Sequence, residues 1–315
     1  MQQIADISVE IPSSLGGLRF DQALTKLFPE YSRSRLQDWV KKGCVLLDGA
    51  QALTKQRVIG GERVSLRTES PEPTESQAED LPLDIVYSDP ELLIVNKTAG
   101  LVVHPAAGHS EGTLLNALLY YAPELAALPR CGIVHRLDKD TSGLLMIART
   151  LKAHKSLVEQ MQARSVRREY LALVQGELSG GGSADLPIGR HPVDRKRFAV
   201  REGGKRAITH YWIEERLSHH TVIRVKLETG RTHQIRVHMA HLHHPLVGDP
   251  SYGRLRFPVR ASEQVVQALR AFRRQALHAE KLGLVHPTSG EYREWSAELP
   301  TDFSQLLEAL RVTHD

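Results

Sequence analysis

Two polar stretches, each set between apolar runs, hold the side chains of this sequence best placed to do chemistry. The first is GIVHRLDKDTSGLLMIAR, residues 132–149. Its apolar flanks frame a turn that displays Arg136, Asp138, Asp140, Thr141 and Ser142. Asp, Ser and Gly are what ordinary turns use, so composition alone is compatible with a plain acidic hairpin. Asp138, Asp140, Ser142 and Gly143 also fit the opening of an EF-hand loop. The bidentate glutamate position falls on Arg149, however, and the flanks are strand-like, which excludes calcium.

The second stretch is ETGRTHQIRVH, residues 228–238, directly after an apolar run. Polar residues alternate with Ile235 and Val237, which places Arg231 and His233 on one face of an extended segment. The chain then reaches a tight turn, GDPSYG, residues 248–253. Between them, His238, His241, His243 and His244 raise the possibility of a metal site. No glutamate completes an H-E-x-x-H pattern and no cysteine is near, so no metal is expected.

The elements that must position these stretches fall into two modules. In residues 18–66, Asp21 to Phe28 has apolar residues at helical spacing and Pro29 ends it. Ser32 is a good N-cap for a second helix over 33–42, with Gly43 as its C-cap. A short strand at Val45, Leu46 and Leu47 meets the turn pair Asp48-Gly49, and another strand covers 62–66. Residues 67–82 are rich in Pro, Ser, Thr and acids and read as a flexible linker.

From 83 to 315, apolar runs of strand length recur at 85–87, 92–95, 144–148, 170–174, 207–213 and 222–227, with helices at 114–121, 151–163 and 262–272. Strands with interspersed helices predict an α+β domain on a mixed, mostly antiparallel sheet with flanking helices. Gly180, Gly181 and Gly182 read as a mobile loop, and no internal repeat is visible.

The 315 residues favour one large domain plus a small one, and a 41% hydrophobic content supports a real core. The net charge of +4 leans towards a polyanionic partner, while aromatics at 5% argue against recognition by many stacked bases. Cys44 and Cys131 have no C-x-x-C partner and suit a reducing compartment. With no signal-peptide pattern and no apolar run long enough to span a bilayer, the expected location is cytoplasmic, away from membranes.

Residues 132–143, the run REYLALV at 168–174, residues 230–238 and 248–253, and QALHA at 275–279 together resemble the ordered motif set of the RluA family of pseudouridine synthases. The stretch NKTAGLVVHP at 96–105 is similar to a further motif of that family, with Thr98 where proline is usual, a change expected to affect only loop stiffness. SRSRLQDWVKKG at 32–43, followed by VLLDG at 45–49, resembles an S4 RNA-binding domain.

The resemblance implies isomerisation of uridine to pseudouridine with Asp138 as the catalytic carboxylate. It further implies Arg231 as that carboxylate's ionic partner, Tyr170 as a pocket tyrosine able to stack on uracil, and Arg136 as the side chain that fills the space of a flipped-out base. Arg33, Arg35, Lys41 and Lys42 would meet phosphates. The basic groups Arg195, Lys196 and Arg197, and Lys205 and Arg206, could extend the RNA track. No cofactor is implied, and the expected state is a monomer. The implied partner is large-subunit ribosomal RNA or a pre-ribosomal large subunit, at the clustered uridines of the helix 69 stem-loop. The alternatives are other large-subunit uridines, as for S4-bearing relatives, or a ribosome-binding factor that has lost catalysis.

Overall fold

The computed structural model describes residues 5–28, 31, 33–68, 76–105, 111–259 and 261–311, and of residues 5, 6, 34, 35 and 68 it describes the backbone alone. The first module forms around two short amphipathic helices. In α1 (Phe20–Leu27), Phe20, Ala23 and Leu24 are buried at helical spacing, and α2 (Arg33–Lys41) adds Leu36 and Val40. They pack on a sheet of order β1-β4-β2-β3, made of β1 (Ala5–Glu10), β2 (Val45–Leu47), β3 (Ala50–Gln51) and β4 (Arg63–Thr68). Val45, Leu47, Val64 and Leu66 supply its buried face by simple alternation.

This module therefore starts earlier than residue 18. β1 pairs with β4 from Ala5↔Thr68 to Glu10↔Arg63, a six-residue strand whose alternating Ile7 and Val9 pack against the module core. Asp21, buried at the start of α1, ties the two helices together: Arg19, Arg33 and Gln37 all donate to its carboxylate. Pro29 and Ser32, the expected stop and cap, lie outside the described residues.

The linker reading does not extend over its whole span. Residues 67 and 68 complete β4. Beyond the undescribed stretch, Asn116 donates to the Gln77 carbonyl at 2.7 Å and accepts the Glu79 N–H at its own carbonyl at 3.1 Å. Glu79 accepts the Gly112 N–H at 2.9 Å. Buried backbone and amide groups need partners, and residues 77–79 supply them, so they belong to the second module rather than to a spacer.

That module is built on a nine-stranded sheet among the described residues. Its first strands are β5 (Asp84–Ser88), β6 (Leu92–Lys97), β7 (Ser142–Ala148), β8 (Arg167–Gln175) and β9 (Gly182–Asp185), with α3 (Leu114–Tyr121) and α4 (Leu151–Ala163) between them. A separate hairpin, β10 (Ile188–Arg190) with β11 (Phe198–Val200), precedes β12 (Ile208–Leu217) and β13 (His220–Leu227). Then come α5 (Gln234–His241), α6 (Glu263–Ala271), β14 (Leu277–Val285), β15 (Tyr292–Ser296) and α7 (Thr301–Arg311). The order is β5-β6-β7-β14-β8-β13-β12-β9, with β15 on β14, and only the β7–β14 pair is parallel. The architecture is the expected α+β domain on a mixed, mostly antiparallel sheet.

Central strands are buried on both faces, which is why residues 144–148 of β7 and 170–174 of β8 read as apolar runs. One face carries Ala172, Val174, Ile223 and Val225 against Leu114 and Leu118 of α3 and Ile235 and Met239 of α5. The other carries Leu171, Leu173 and Val222 against α6 and α7, through Val265, Leu269, Phe303 and Leu307. The triple glycine is not a free loop. Gly182 opens β9, and at Gly181 an added methyl would lie 2.8 Å from the Tyr211 carbonyl oxygen, so close approach of two backbones explains the small residue. No helix among the described residues is long and apolar enough to cross a membrane.

Candidate active site

A cleft of about 750 Å³ opens where the turn before β7, the middle of β8 and the start of α5 converge. Asp138, Arg136, Tyr170, Arg231, His233 and Arg236 line it. Asp138 sits in a tight turn, with its carbonyl accepting the Thr141 N–H at 3.1 Å. Several neighbours hold that turn. Lys97 Nζ and the Gly100 N–H donate to the Lys139 carbonyl at 2.8 and 3.0 Å. Gln275 donates to Thr141 Oγ1 at 3.0 Å, and Ser142 Oγ meets His278 Nδ1 at 2.9 Å. β14 can run this close only because residue 143 is glycine. Its φ is +113°, and a methyl there would lie 2.3 Å from the Ala279 carbonyl oxygen.

The partner of Asp138 is Arg236. Its Nη1 donates to Asp138 Oδ2 at 3.0 Å. The other edge of the guanidinium grips Asp249, Nε to Oδ2 at 2.7 Å and Nη2 to Oδ1 at 2.9 Å, a two-pronged pairing that fixes its plane. Asp249 is held in turn by accepting the backbone N–H groups of Ser251 and Tyr252. Gly248, at φ +72° with a methyl position 2.2 Å from the Arg274 carbonyl oxygen, sets the turn that aims it. Burial opposes the charge on Arg236, but Asp249 and Asp138 outweigh that and hold it above the ordinary guanidinium range. The Tyr252 ring lies 5.1 Å from the guanidinium carbon and adds a cation–π contact.

Arg231, expected to make this ion pair, does not. It precedes α5, is exposed, and donates from Nε to the Arg206 carbonyl at 3.1 Å. The alternation of Ile235 and Val237 suggested an extended strand, whereas residues 234–241 are helical. In a helix, Ile235 and Met239 share the core face, and Arg236 turns towards Asp138. Residues 234–239 are buried all round, so the helix lacks the polar stripe that would reveal its period. Asp249 was visible only as part of a turn.

Tyr170 lies on the cleft wall as expected, in the middle of β8 opposite Val225, and burial pushes its hydroxyl above the usual phenol range. Arg136 is exposed at the cleft. His233 Nε2 stands 3.9 Å from Asp138 Oδ1, and its Nδ1 is 2.8 Å from the Tyr252 hydroxyl. Burial holds His233 below the ordinary imidazole range. Two of the clustered histidines serve separate partners: His238 bonds Thr209 and the Leu186 carbonyl, and His244 the Gln175 carbonyl. Among the described residues no three His, Cys, Asp or Glu form a metal-holding group.

Of the groups expected to meet phosphate, Arg33 is half exposed but ion-paired to Asp21 at 2.7 Å. Lys41 and Lys42 are exposed at the end of α2, with Lys41 3.7 Å from Asp38. The Arg35 side chain lies outside the described residues.

The turn before β7 thus presents one arginine-paired carboxylate, and β8 one tyrosine, to an open cleft on a mixed sheet. The family model for RNA pseudouridylate synthase matches residues 91–241. A ribosomal large subunit pseudouridine synthase D from Pseudomonas aeruginosa is 54% identical over 312 residues, covering 99% of this chain and 98% of that protein. Proteins of the same name from Xanthomonas campestris and Escherichia coli K12 are 54% and 50% identical, over 96% and 99% of this chain and 91% and 96% of their own. The structure of human RNA pseudouridylate synthase domain containing 1 superposes with a TM-score of 0.54 at 28% identity, covering 78% of this chain and 99% of that one. The chain belongs to the RNA pseudouridylate synthase family.

Proposed function

We propose that this protein isomerises uridines of large-subunit ribosomal RNA, at the clustered uridines of the helix 69 stem-loop, with Asp138 as the catalytic carboxylate. The observation that carries this reading is the chain Asp138–Arg236–Asp249 at the wall of a cleft shared with Tyr170. Pseudouridine forms when the C1′–N1 bond breaks, the uracil turns, and C5 joins C1′. Nothing is added, so one carboxylate serves where a hydrolytic glycosidase normally uses two. Asp138 is the group that attacks C1′, adds to the base or takes a ribose proton, and Arg236 orients it and supplies compensating positive charge. Tyr170 stacks on the uracil.

A uridine within a stem must leave its stack, at a cost of a few kcal/mol, and Arg136 at the cleft mouth fills the vacated space. The S4-like first module, with Lys41 and Lys42 exposed at the end of α2, holds phosphates and so selects the RNA. The names of the relatives support the large ribosomal subunit as the target. Pseudouridine mapping of ribosomal RNA from cells with and without the protein tests the assignment. Loss confined to the helix 69 loop is expected. Loss at other large-subunit uridines would move the specificity elsewhere, and an unchanged map would refute the activity.

A further inference from the structure

Arg168 is only 5% exposed, yet among the described residues it makes no ion pair. Nη2 donates one long bond, 3.4 Å, to the Leu227 carbonyl, and the buried Nε has no partner. Arg168 and Tyr170 are alternate residues of β8, so they project from the same face, and both line the cleft with Asp138. The turn after the neighbouring strand β13 leaves room for the guanidinium, since a methyl on Gly230 would lie 3.1 Å from Nη1. Burial without a counter-ion pulls this arginine below its usual range, although no ordinary environment deprotonates a guanidinium.

A buried charge left unpaired opposes folding, and such a group persists where its partner arrives with the substrate. A phosphate, strongly hydrated, meets the exposed Arg136 and Arg231 at the rim first. The group that reaches the wall beside Tyr170 is the base. We propose that Arg168 is a catalytic residue that binds a carbonyl oxygen of the target uracil and stabilises the negative charge gathering there as the base is detached. This rests on the reading of Asp138 as the catalytic carboxylate.

When the C1′–N1 bond breaks, its electron pair passes to N1 and is shared with O2 and O4. The new C5–C1′ bond draws that pair back out of the ring. C5 then loses its proton and N1 gains one, so the product is an isomer. If the Asp138 carboxylate adds to C6 first, the C5–C6 pair moves onto O4, and the same cation faces the same oxygen. A positioned donor of this kind typically contributes about 10²–10³-fold in rate.

The test uses full-length Arg168→Met and Arg168→Lys, with tritium release from C5-labelled RNA measured in single turnover at saturating RNA, alongside RNA affinity at several salt concentrations and thermal melts. Arg168→Met should slow release by about 10²–10³-fold, leave affinity and its salt dependence unchanged, and melt no lower than wild type, because the charge removed had no partner. Arg168→Lys should recover part of the rate, since a point charge replaces a planar fork. A saturating rate equal to wild type with weaker, less salt-sensitive binding would make Arg168 a phosphate contact and overturn the proposal. A lower melting temperature in the methionine variant, with lysine restoring stability and rate together, would reduce Arg168 to a structural group and also overturn it. Wild-type protein that releases no tritium would instead sink the reading of Asp138 on which this one rests.

Discussion

Arg236 gives Asp138 a single nitrogen, Nη1 at 3.0 Å, because its other edge is already committed to Asp249 at 2.7 and 2.9 Å. The Asp138 carboxylate thus faces a cation whose plane it does not set. Asp249 and the turn behind it set that plane.

Arg236→Met should therefore damage catalysis where Arg231→Met should not. Losing the guanidinium removes the charge and the hydrogen bond that orient the Asp138 carboxylate, so the single-turnover rate at saturating RNA should fall. Lysine should rescue only partly. Arg231→Met should keep a near wild-type rate, and a fall in that variant rather than in Arg236→Met would contradict the assignment of the pair.

Asp249→Asn tests the clamp. Asn keeps an acceptor for the Ser251 and Tyr252 N–H groups but leaves the buried Arg236 short of a counter-charge. Removing one partner of a buried pair costs about 3–5 kcal/mol, readable in urea denaturation, and the rate should drop as Arg236 loses its fixed plane. Unaltered stability would mean that the pair contributes little to the fold.

Most of the sheet was legible because β7 and β8 carry apolar runs at 144–148 and 170–174, and β13 sets Val222, Ile223, Val225 and Leu227 among its polar residues. Tyr170 could be placed on its strand for the same reason, whereas Asp138, in a turn with an ordinary composition, was singled out by the family resemblance. Arg236 could not, since a helix buried on every side shows no periodic contrast. Asp249 was hidden because a carboxylate in a G-D-P-S turn has an adequate local explanation. β1 is a short strand whose partner, β4, lies more than fifty residues on, and no local signal announces that pairing.

Asp21 gives the first module a defined acid sensitivity. Burial alone would raise its carboxyl, but hydrogen bonds from Arg33, Gln37 and Arg19 outweigh burial and bring it down to about 2. The folded value lies below the unfolded one of 3.8, so this stabilisation is present above that value and is lost as pH falls through about 2. Asp21→Asn should melt lower than wild type at neutral pH, and the gap should close in melts run towards pH 2. A gap independent of pH would show that the carboxylate charge is not what joins α1 to α2.

Truncation distinguishes the linker from the segment docked on α3. A chain beginning at residue 76 keeps the hydrogen bonds of Gln77 and Glu79 to Asn116, whereas one beginning at 83 removes them. The first should fold and the second should melt lower. Both should bind RNA with a shallower salt dependence than the full chain, by about 0.7 to 0.9 in log–log slope for each phosphate that the first module no longer neutralises. Equal melting of the two fragments would mean the docked segment contributes nothing, and an unchanged slope would mean the first module does not hold RNA.

The most direct test of the account is tritium release from C5-labelled large-subunit ribosomal RNA by Asp138→Asn. The amide keeps the shape of the side chain and can still meet Arg236, so the protein should fold and bind RNA as wild type does. It lacks the charged oxygen needed to attack the sugar, add to the base or take a proton, so release should fall to background. Release by Asp138→Asn near the wild-type rate would contradict Asp138 as the catalytic carboxylate.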